Sequence, residues 1–258
     1  MSSIYPLLSR EIHRLHGQFV DCQSQLTQLA EHPEALHDLR VSLRQLRSLL
    51  RPLRHFPEIA AFDAVLSKVI SQSNRVRDME VLVAELQAKQ QATLYQHYQL
   101  QLTSFYSLLA AHIETDIELI IQRLMTLPLY WQHHSAVLPH KKLEKHVVRY
   151  CLHYQQQLKK HLKSKKTIDK HHLRLLVKKL RYALESYGQF LTLNPKLQIQ
   201  LKKTQEAIGN WHDRSVWLEL ANHEEALQVL VTTWQTELQH HEHLADKQLG
   251  KLLRRLRE

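Results

Sequence analysis

Leucines recur every three or four residues between positions 36 and 53, which is the spacing of one side of an α-helix. They are Leu36, Leu39, Leu43, Leu46, Leu50 and Leu53. The 258-residue chain has only 4 glycines and 7 prolines, too few for the turns and phosphate loops of sandwiches, barrels and dinucleotide-binding domains. Hydrophobic residues make up 43% of the sequence, which is enough for a core. We therefore predict an all-α fold.

Prolines indicate where the predicted helices begin, because proline fits the first helical position, where its missing N–H costs nothing. Pro33, Pro57, Pro139 and Pro195 each precede a long run with helical periodicity, and Asn194 is a predicted N-cap. The fourth helix is expected to end near residue 126, so that segment 127–138 forms the domain boundary. The predicted helices span about residues 5–30, 33–54, 58–89, 92–126, 139–163, 168–191, 195–222 and 224–256.

The two halves of the chain resemble each other. Residues 37–56, HDLRVSLRQLRSLLRPLRHF, align with residues 171–190, HHLRLLVKKLRYALESYGQF, at a shift of 134 positions. In the following helix the shift is 135, and there Lys68, Asp78 and Val81 recur as Lys203, Asp213 and Val216. We therefore predict an internal duplication, in which residues 1–132 and 133–258 are two pseudo-symmetric four-helix bundles.

Basic residues follow the leucines one position later and with the same spacing, so at ~100° per residue they share one side of the helix. The first basic face consists of His37, Arg40, Arg44, Arg47, Arg51 and Arg54. The second basic face consists of His171, Arg174, Lys178 and Arg181, and Glu185 interrupts it. A run of charges is most often a solvated surface. The recurrence of this one, without an acidic residue inside either face, favours binding of oxyanions, above all phosphate.

Neighbouring helices carry further basic residues that could join these faces. If the pseudo-two-fold axis brings the two faces together, they form a basic groove or channel with a focused positive field. Asp78 and Asp213 are expected to be structural ion-pair partners rather than catalytic groups. The additional candidates for anion binding are Lys68, Arg75, Arg77, Lys141, Lys142, Arg149, Lys202, Lys203 and His212.

The pattern H-x-x-R-x-x-x-[RK]-x-x-R, at residues 37–47 and 171–181, resembles the signature of the CHAD family, the conserved histidine α-helical domain. Arg77 with Asp78, and His212 with Asp213, resemble its second motif, each followed by a valine three residues on. The resemblance covers nearly the whole chain. It implies two helical bundles around a basic channel that binds inorganic polyphosphate, and association with polyphosphate granules. The ligand contacts that it implies are His37, Arg40, Arg44, Arg47, His171, Arg174, Lys178 and Arg181.

The second repeat departs from the first at Glu185 and Gly188, which stand opposite Arg51 and Arg54. The E-x-E-x-K signature of the triphosphate-hydrolysing domain that some family members carry does not occur, so we expect a stand-alone binding module. No Ser/His/Asp arrangement, paired carboxylates or phosphate-binding glycine loop stands out. We therefore predict no catalysis and no cofactor. Adjacent histidines such as His133 and His134 point ~100° apart on a helix and cannot chelate one ion, so no metal site is predicted.

Nucleic acid is the main alternative ligand, because the formal net charge of +10 suits a phosphate backbone. Aromatic residues are only 7% of the chain, and apart from Tyr182 none accompanies the basic faces, so base stacking is not indicated. Another alternative is a helical adaptor whose C-terminal basic residues bind an acidic protein. Without a signal peptide, a run of ~18 apolar residues or a disulfide framework, we expect a cytoplasmic protein with no membrane partner. The adaptor residues would be Lys251, Arg254, Arg255 and Arg257.

Overall fold

The computed structural model describes residues 4–29, 31–137, 139–164, 169–191 and 194–257. In these ranges the chain forms eight α-helices and no strand, which confirms the all-α prediction. The helices are α1 Ile4–Gln25, α2 Pro33–Leu50, α3 Pro57–Ala88, α4 Ala92–Val137, α5 His140–Lys163, α6 Lys170–Tyr187, α7 Pro195–Ala221 and α8 Val231–Arg255. Short 3-10 turns follow α1, α2 and α6, and another precedes α8.

Prolines and polar caps set the helix starts largely as predicted. Pro33, Pro57 and Pro195 lie in the first turns of α2, α3 and α7. The Asn194 side chain accepts a hydrogen bond from the backbone N–H of Lys196, and that of Asp169 accepts one from His172. These side chains satisfy N–H groups that the first helical turn leaves without a partner.

The predicted end of the fourth helix at residue 126 was wrong, because α4 continues through Pro128 to Val137. A proline in a helix interior removes one hydrogen bond and costs ~3 kcal/mol or more. Leu124, Leu127 and Trp131 are nevertheless all buried on both sides of Pro128, and their packing offsets that cost. Residues 127–137 therefore belong to a helix rather than to a linker.

The chain divides into two compact units, Met1–Val147 and Val148–Glu258. The predicted division between the sequence repeats, after residue 132, lies within α4 and stays a prediction. In the described ranges, no helix has the length and apolar character needed to cross a membrane.

In the first unit, α1 packs against α2 and α4, and α3 packs against α4 and α2. The leucine stripe predicted on α2 is confirmed as core, since all six of its leucines, from Leu36 to Leu53, have no exposed surface. Because the arginines follow these leucines by one position, α2 holds them at the border of the core.

In the second unit, α7 packs against both α6 and α8. Leu173, Val177 and Leu180 of α6 are buried, which again leaves the basic residues one position later at the border. A buried polar contact joins α7 to α8, where Gln200 Nε2 donates to the Gln248 side chain at 3.0 Å. Thr204, which is fully buried, donates to the Gln200 carbonyl at 2.8 Å.

Candidate anion-binding site

Arg40 of the first basic face is partly buried, and both terminal nitrogens of its guanidinium group make hydrogen bonds. Its Nη1 donates to Ser73 Oγ at 2.5 Å and its Nη2 donates to Asn74 Oδ1 at 3.2 Å, both on α3. Burial and the nearby guanidinium groups of Arg77 and Arg44 lower the pKa of Arg40. Glu80 and Asp78 act in the opposite direction. Arginine keeps its charge in proteins, so Arg40 is a partly buried cation between α2 and α3.

Arg47 and Arg54 are held by a carboxylate that the sequence analysis missed. Asp63 of α3 lies 2.8 Å from Arg47 Nε and 3.1 Å from Arg54 Nε, one oxygen to each arginine. Its side chain is only 2% exposed, whereas Arg54 is 54% exposed. A signal was present in the sequence, because Asp63 follows Phe62 among the buried positions of α3, where an acidic residue needs a cationic partner.

The other basic residues of the first unit have varied surroundings. The Lys68 ammonium lies 2.8 Å from Asp116 of α4. The Arg75 guanidinium stacks 4.5 Å from the Phe105 ring centroid. Arg77 pairs with Glu80 at 3.1 Å within α3. Arg51 Nε is buried and has no hydrogen-bond partner among the described residues, while His37 is exposed and Arg44 partly buried.

The second basic face gathers positive groups from α6 and α7. The rings of His171 and His212 lie 5.7 Å apart, and Arg174 and Lys178 belong to the same cluster. Burial, followed by the charges of Arg174, His171 and Lys178, lowers the pKa of His212 to about 4. At neutral pH His212 is therefore an uncharged imidazole beside the cations Arg174 and Lys178.

Arg181 ends the second face beside an open cavity of about 210 Å³, which lies between α6 and α7. Its Nε donates to Glu185, its own helix neighbour, at 2.8 Å, and its guanidinium lies 5.3 Å from the Tyr182 ring centroid. Glu185 is 48% exposed, so this pair is far more accessible to solvent than Asp63 is. The cavity is lined by Arg181, Glu185, Gln198, Ile199, Leu201 and Lys202.

The structure does not join every predicted site residue to the two faces. Lys141, Lys142, Arg149 and Lys203 are exposed, and in the described part of the chain no ion pair or hydrogen bond links them to either face. Their assignment to an anion site stays a prediction. Across the described residues, no three His, Cys, Asp or Glu side chains come together in a way that could hold a metal ion.

Residues 13–222 match the CHAD domain family. The chain belongs to the CHAD domain family. The solved CHAD domain from the plant Ricinus communis is similar to this one with a TM-score of 0.72 and 19% sequence identity, over 99% of this chain and 92% of that chain. No curated protein matches this CHAD domain. The resemblance of the two motifs to CHAD is thus confirmed, and the likeness to the plant domain is one of fold.

Proposed function

We propose that this CHAD domain binds inorganic polyphosphate through the first and second basic faces and does so without catalysis. The observation that carries the proposal is the second basic face, where Arg174 and Lys178 belong to one cluster with the rings of His171 and His212, which lie 5.7 Å apart. A cluster of this kind attracts an anion, and arginine offers planar paired donors that match a phosphate group. The CHAD motifs, which imply polyphosphate as the ligand, support the same assignment.

A linear phosphate polymer also suits the spacing of the basic residues. Successive members of each face lie three or four residues apart, which is ~5–6 Å along a helix. A flexible chain of phosphates can therefore meet one cation at each helical turn without needing bases or a fixed shape. Binding would release counterions from the polymer, so affinity should fall steeply as salt rises.

The test is calorimetric titration of the purified protein with long-chain polyphosphate, tRNA and ATP at physiological salt. We expect polyphosphate to bind more tightly than tRNA of equal total charge. Equal or tighter binding of tRNA would instead favour nucleic acid as the ligand. Indifference to both polymers would favour an adaptor for an acidic protein.

A double variant locates the site. Arg44→Glu combined with Lys178→Glu changes one member of each face, and both positions lie off the buried leucine stripes, so helicity should be retained. We expect this variant to lose binding. The matched control is Arg123→Glu combined with Lys160→Glu, which makes the same change of charge at exposed positions outside both faces and should retain most of the affinity. Equal loss in both variants would show that only net charge matters.

The same proposal extends to the cell, where we place the protein in the cytoplasm in association with polyphosphate granules. A fluorescent fusion should colocalise with granules, and the Arg44→Glu, Lys178→Glu variant should be diffuse. The predicted groove between the two repeats stays a prediction.

A further inference from the structure

The two repeats differ at one position of the family's second motif. At the shift of 135 that aligns α3 with α7, Arg77 of the first repeat corresponds to His212 of the second. Arginine is permanently charged, whereas histidine changes its charge near physiological pH. The first repeat thus has a fixed positive charge where the second has one that depends on protonation.

The surroundings of His212 are cationic on the side of α6. His171, Arg174 and Lys178 all act on it, and the His171 ring lies 5.7 Å away. On the side of α8, carboxylates form ion pairs with two other basic residues. Glu237 lies 3.2 Å from Arg214, and Glu242 and Asp246 lie 2.9 and 3.1 Å from Lys170. On α7 itself Asp213 is the adjacent residue. The causes that lower the pKa of His212 are burial and then the charges of Arg174, His171 and Lys178.

Space for a ligand is open next to His212. Gly209 lies one turn earlier on the same side of α7, and a Cβ atom added there would meet no atom within 4 Å. In the first repeat the corresponding residue is Asn74, whose side chain binds Arg40. An anion can therefore approach α7 at Gly209, whereas a side chain occupies the corresponding place on α3.

We infer that anion binding at the second basic face is coupled to the uptake of a proton by His212, which then becomes an additional cationic contact. The inference rests on the proposed function and concerns its regulation. Burial is the largest cause that opposes protonation of His212, and the charges of Arg174, His171 and Lys178 come next. An anion among these residues offsets the charges and attracts the proton directly. By linkage, a ligand that favours protonation must itself bind more tightly when the proton is present.

The size of the effect follows from the pKa of His212. In the empty site the pKa is about 4, and if the anion restores it at least to the ordinary value of ~6.5, affinity rises ~20-fold between pH 7 and pH 5 from this residue alone. At pH 6 roughly 0.75 proton is taken up per bound site. The internal phosphates of a long chain stay ionised over this range, so the ligand does not imitate the effect.

The experiment is calorimetry with long-chain polyphosphate at pH 5, 6 and 7, in pairs of buffers with different ionisation enthalpies, which measure proton uptake directly. The wild-type protein is compared with His212→Arg, which copies the first repeat, and with His212→Gln, which is permanently neutral. We expect His212→Arg to bind at pH 7 at least as tightly as wild type does at pH 5. Both variants should lack the uptake of roughly 0.75 proton that wild type shows at pH 6.

The protein has 20 histidines, and others among them could also take up protons. The decisive quantity is therefore the difference in proton uptake between wild type and the two variants. Should both variants keep the wild-type proton uptake, another group takes up the proton and the inference is wrong, while the proposed function stands. Absence of polyphosphate binding in all three proteins overturns the proposed function together with the inference. An NMR titration of the His212 ring in wild type measures its pKa independently of the variants. This pKa must rise when polyphosphate is added. An unchanged pKa contradicts the inference even if a variant fails to fold.

Discussion

Asp63 is the residue whose replacement should separate stability from anion binding. In Asp63→Asn the side chain keeps its size and one acceptor oxygen but loses the negative charge that holds Arg47 at 2.8 Å and Arg54 at 3.1 Å. We expect the variant to be less stable than wild type and to bind polyphosphate more tightly. The two effects have different causes, and each can be given a magnitude from the structure.

The loss of stability comes mainly from Arg47. Asn keeps a hydrogen bond to the charged guanidinium but loses the attraction between two full charges. Since a hydrogen bond to a charged group contributes about 1.5–3 kcal/mol, we expect this loss to cost about 1–2 kcal/mol. Arg54 is 54% exposed and regains water, so its part is that of a surface pair, about 0–1 kcal/mol. The total is about 2 kcal/mol, measurable as a lower midpoint in urea unfolding.

The tighter binding comes from two arginines that no longer share a carboxylate. One new charge-assisted hydrogen bond to phosphate, at about 1.4 kcal/mol, raises the affinity tenfold. The slope of log K against log salt should steepen by roughly 1 for each additional phosphate that the protein neutralises. Calorimetric titration at several salt concentrations measures both quantities.

Gln198→Asp is the reverse change in the second unit and serves as the control, because position 198 corresponds to position 63 at the shift of 135. It places a carboxylate in the cavity lined by Arg181 and Lys202, at an exposed site where stability should change little. We expect weaker binding and a shallower salt dependence. If Asp63→Asn folds normally and binds no better than wild type, Asp63 does not withhold these arginines from the ligand, and the reasoning is refuted.

Three further predictions concern the second unit. The pKa of His212 is about 4 in the folded protein and ~6.5 in the unfolded chain, so the unfolded state takes up the proton first as pH falls. The protein therefore loses stability between pH ~6.5 and ~4, by about 1–2 kcal/mol after allowance for partial exposure. Urea unfolding at pH 7 and pH 5 should show a smaller loss of stability in His212→Gln than in wild type. Gly209→Ala should stabilise α7 by about 0.5–1 kcal/mol, since the added Cβ has no atom within 4 Å, and a lower melting temperature would contradict this. Thr204→Val should cost about 1–2 kcal/mol because it removes a buried hydroxyl that bonds Gln200, whereas Thr236→Val, which removes a similar bond at an exposed site, should leave the urea midpoint nearly unchanged.

The helices were predictable because their signals are local. The leucines of α2 repeat with the period of a helix, and proline or a capping side chain stands at the start of α2, α3 and α7. The continuation of α4 through Pro128 was not predictable in the same way. It depends on the burial of Leu127 and Trp131 against other helices, and the local sequence around Pro128 does not show how much this packing stabilises the helix.

The basic faces were also visible in the sequence, but their partners were not. Spacing along α2 shows that Arg47 and Arg54 share a side of the helix, yet it cannot show which residue of α3 meets them. Asp63 could have been suspected, because the neighbouring Phe62 belongs to the same buried surface of α3. The low pKa of His212 depends on burial and on charged groups from α6, and both follow only from the three-dimensional arrangement.

Asp63 and His212 are two different ways of limiting the repulsion between basic residues on a helix. Cations on successive turns of a helix repel one another, and a face built for anions cannot neutralise all of them without losing its ligand. In the first unit, the buried Asp63 pairs with two of the arginines, and Glu80 pairs with Arg77. In the second unit, Gln198 stands at the position that corresponds to Asp63, Glu185 pairs with Arg181, and His212 stays neutral beside Arg174 and Lys178. The first arrangement is permanent, whereas the second can be reversed by a proton, so the second repeat is where pH should regulate binding.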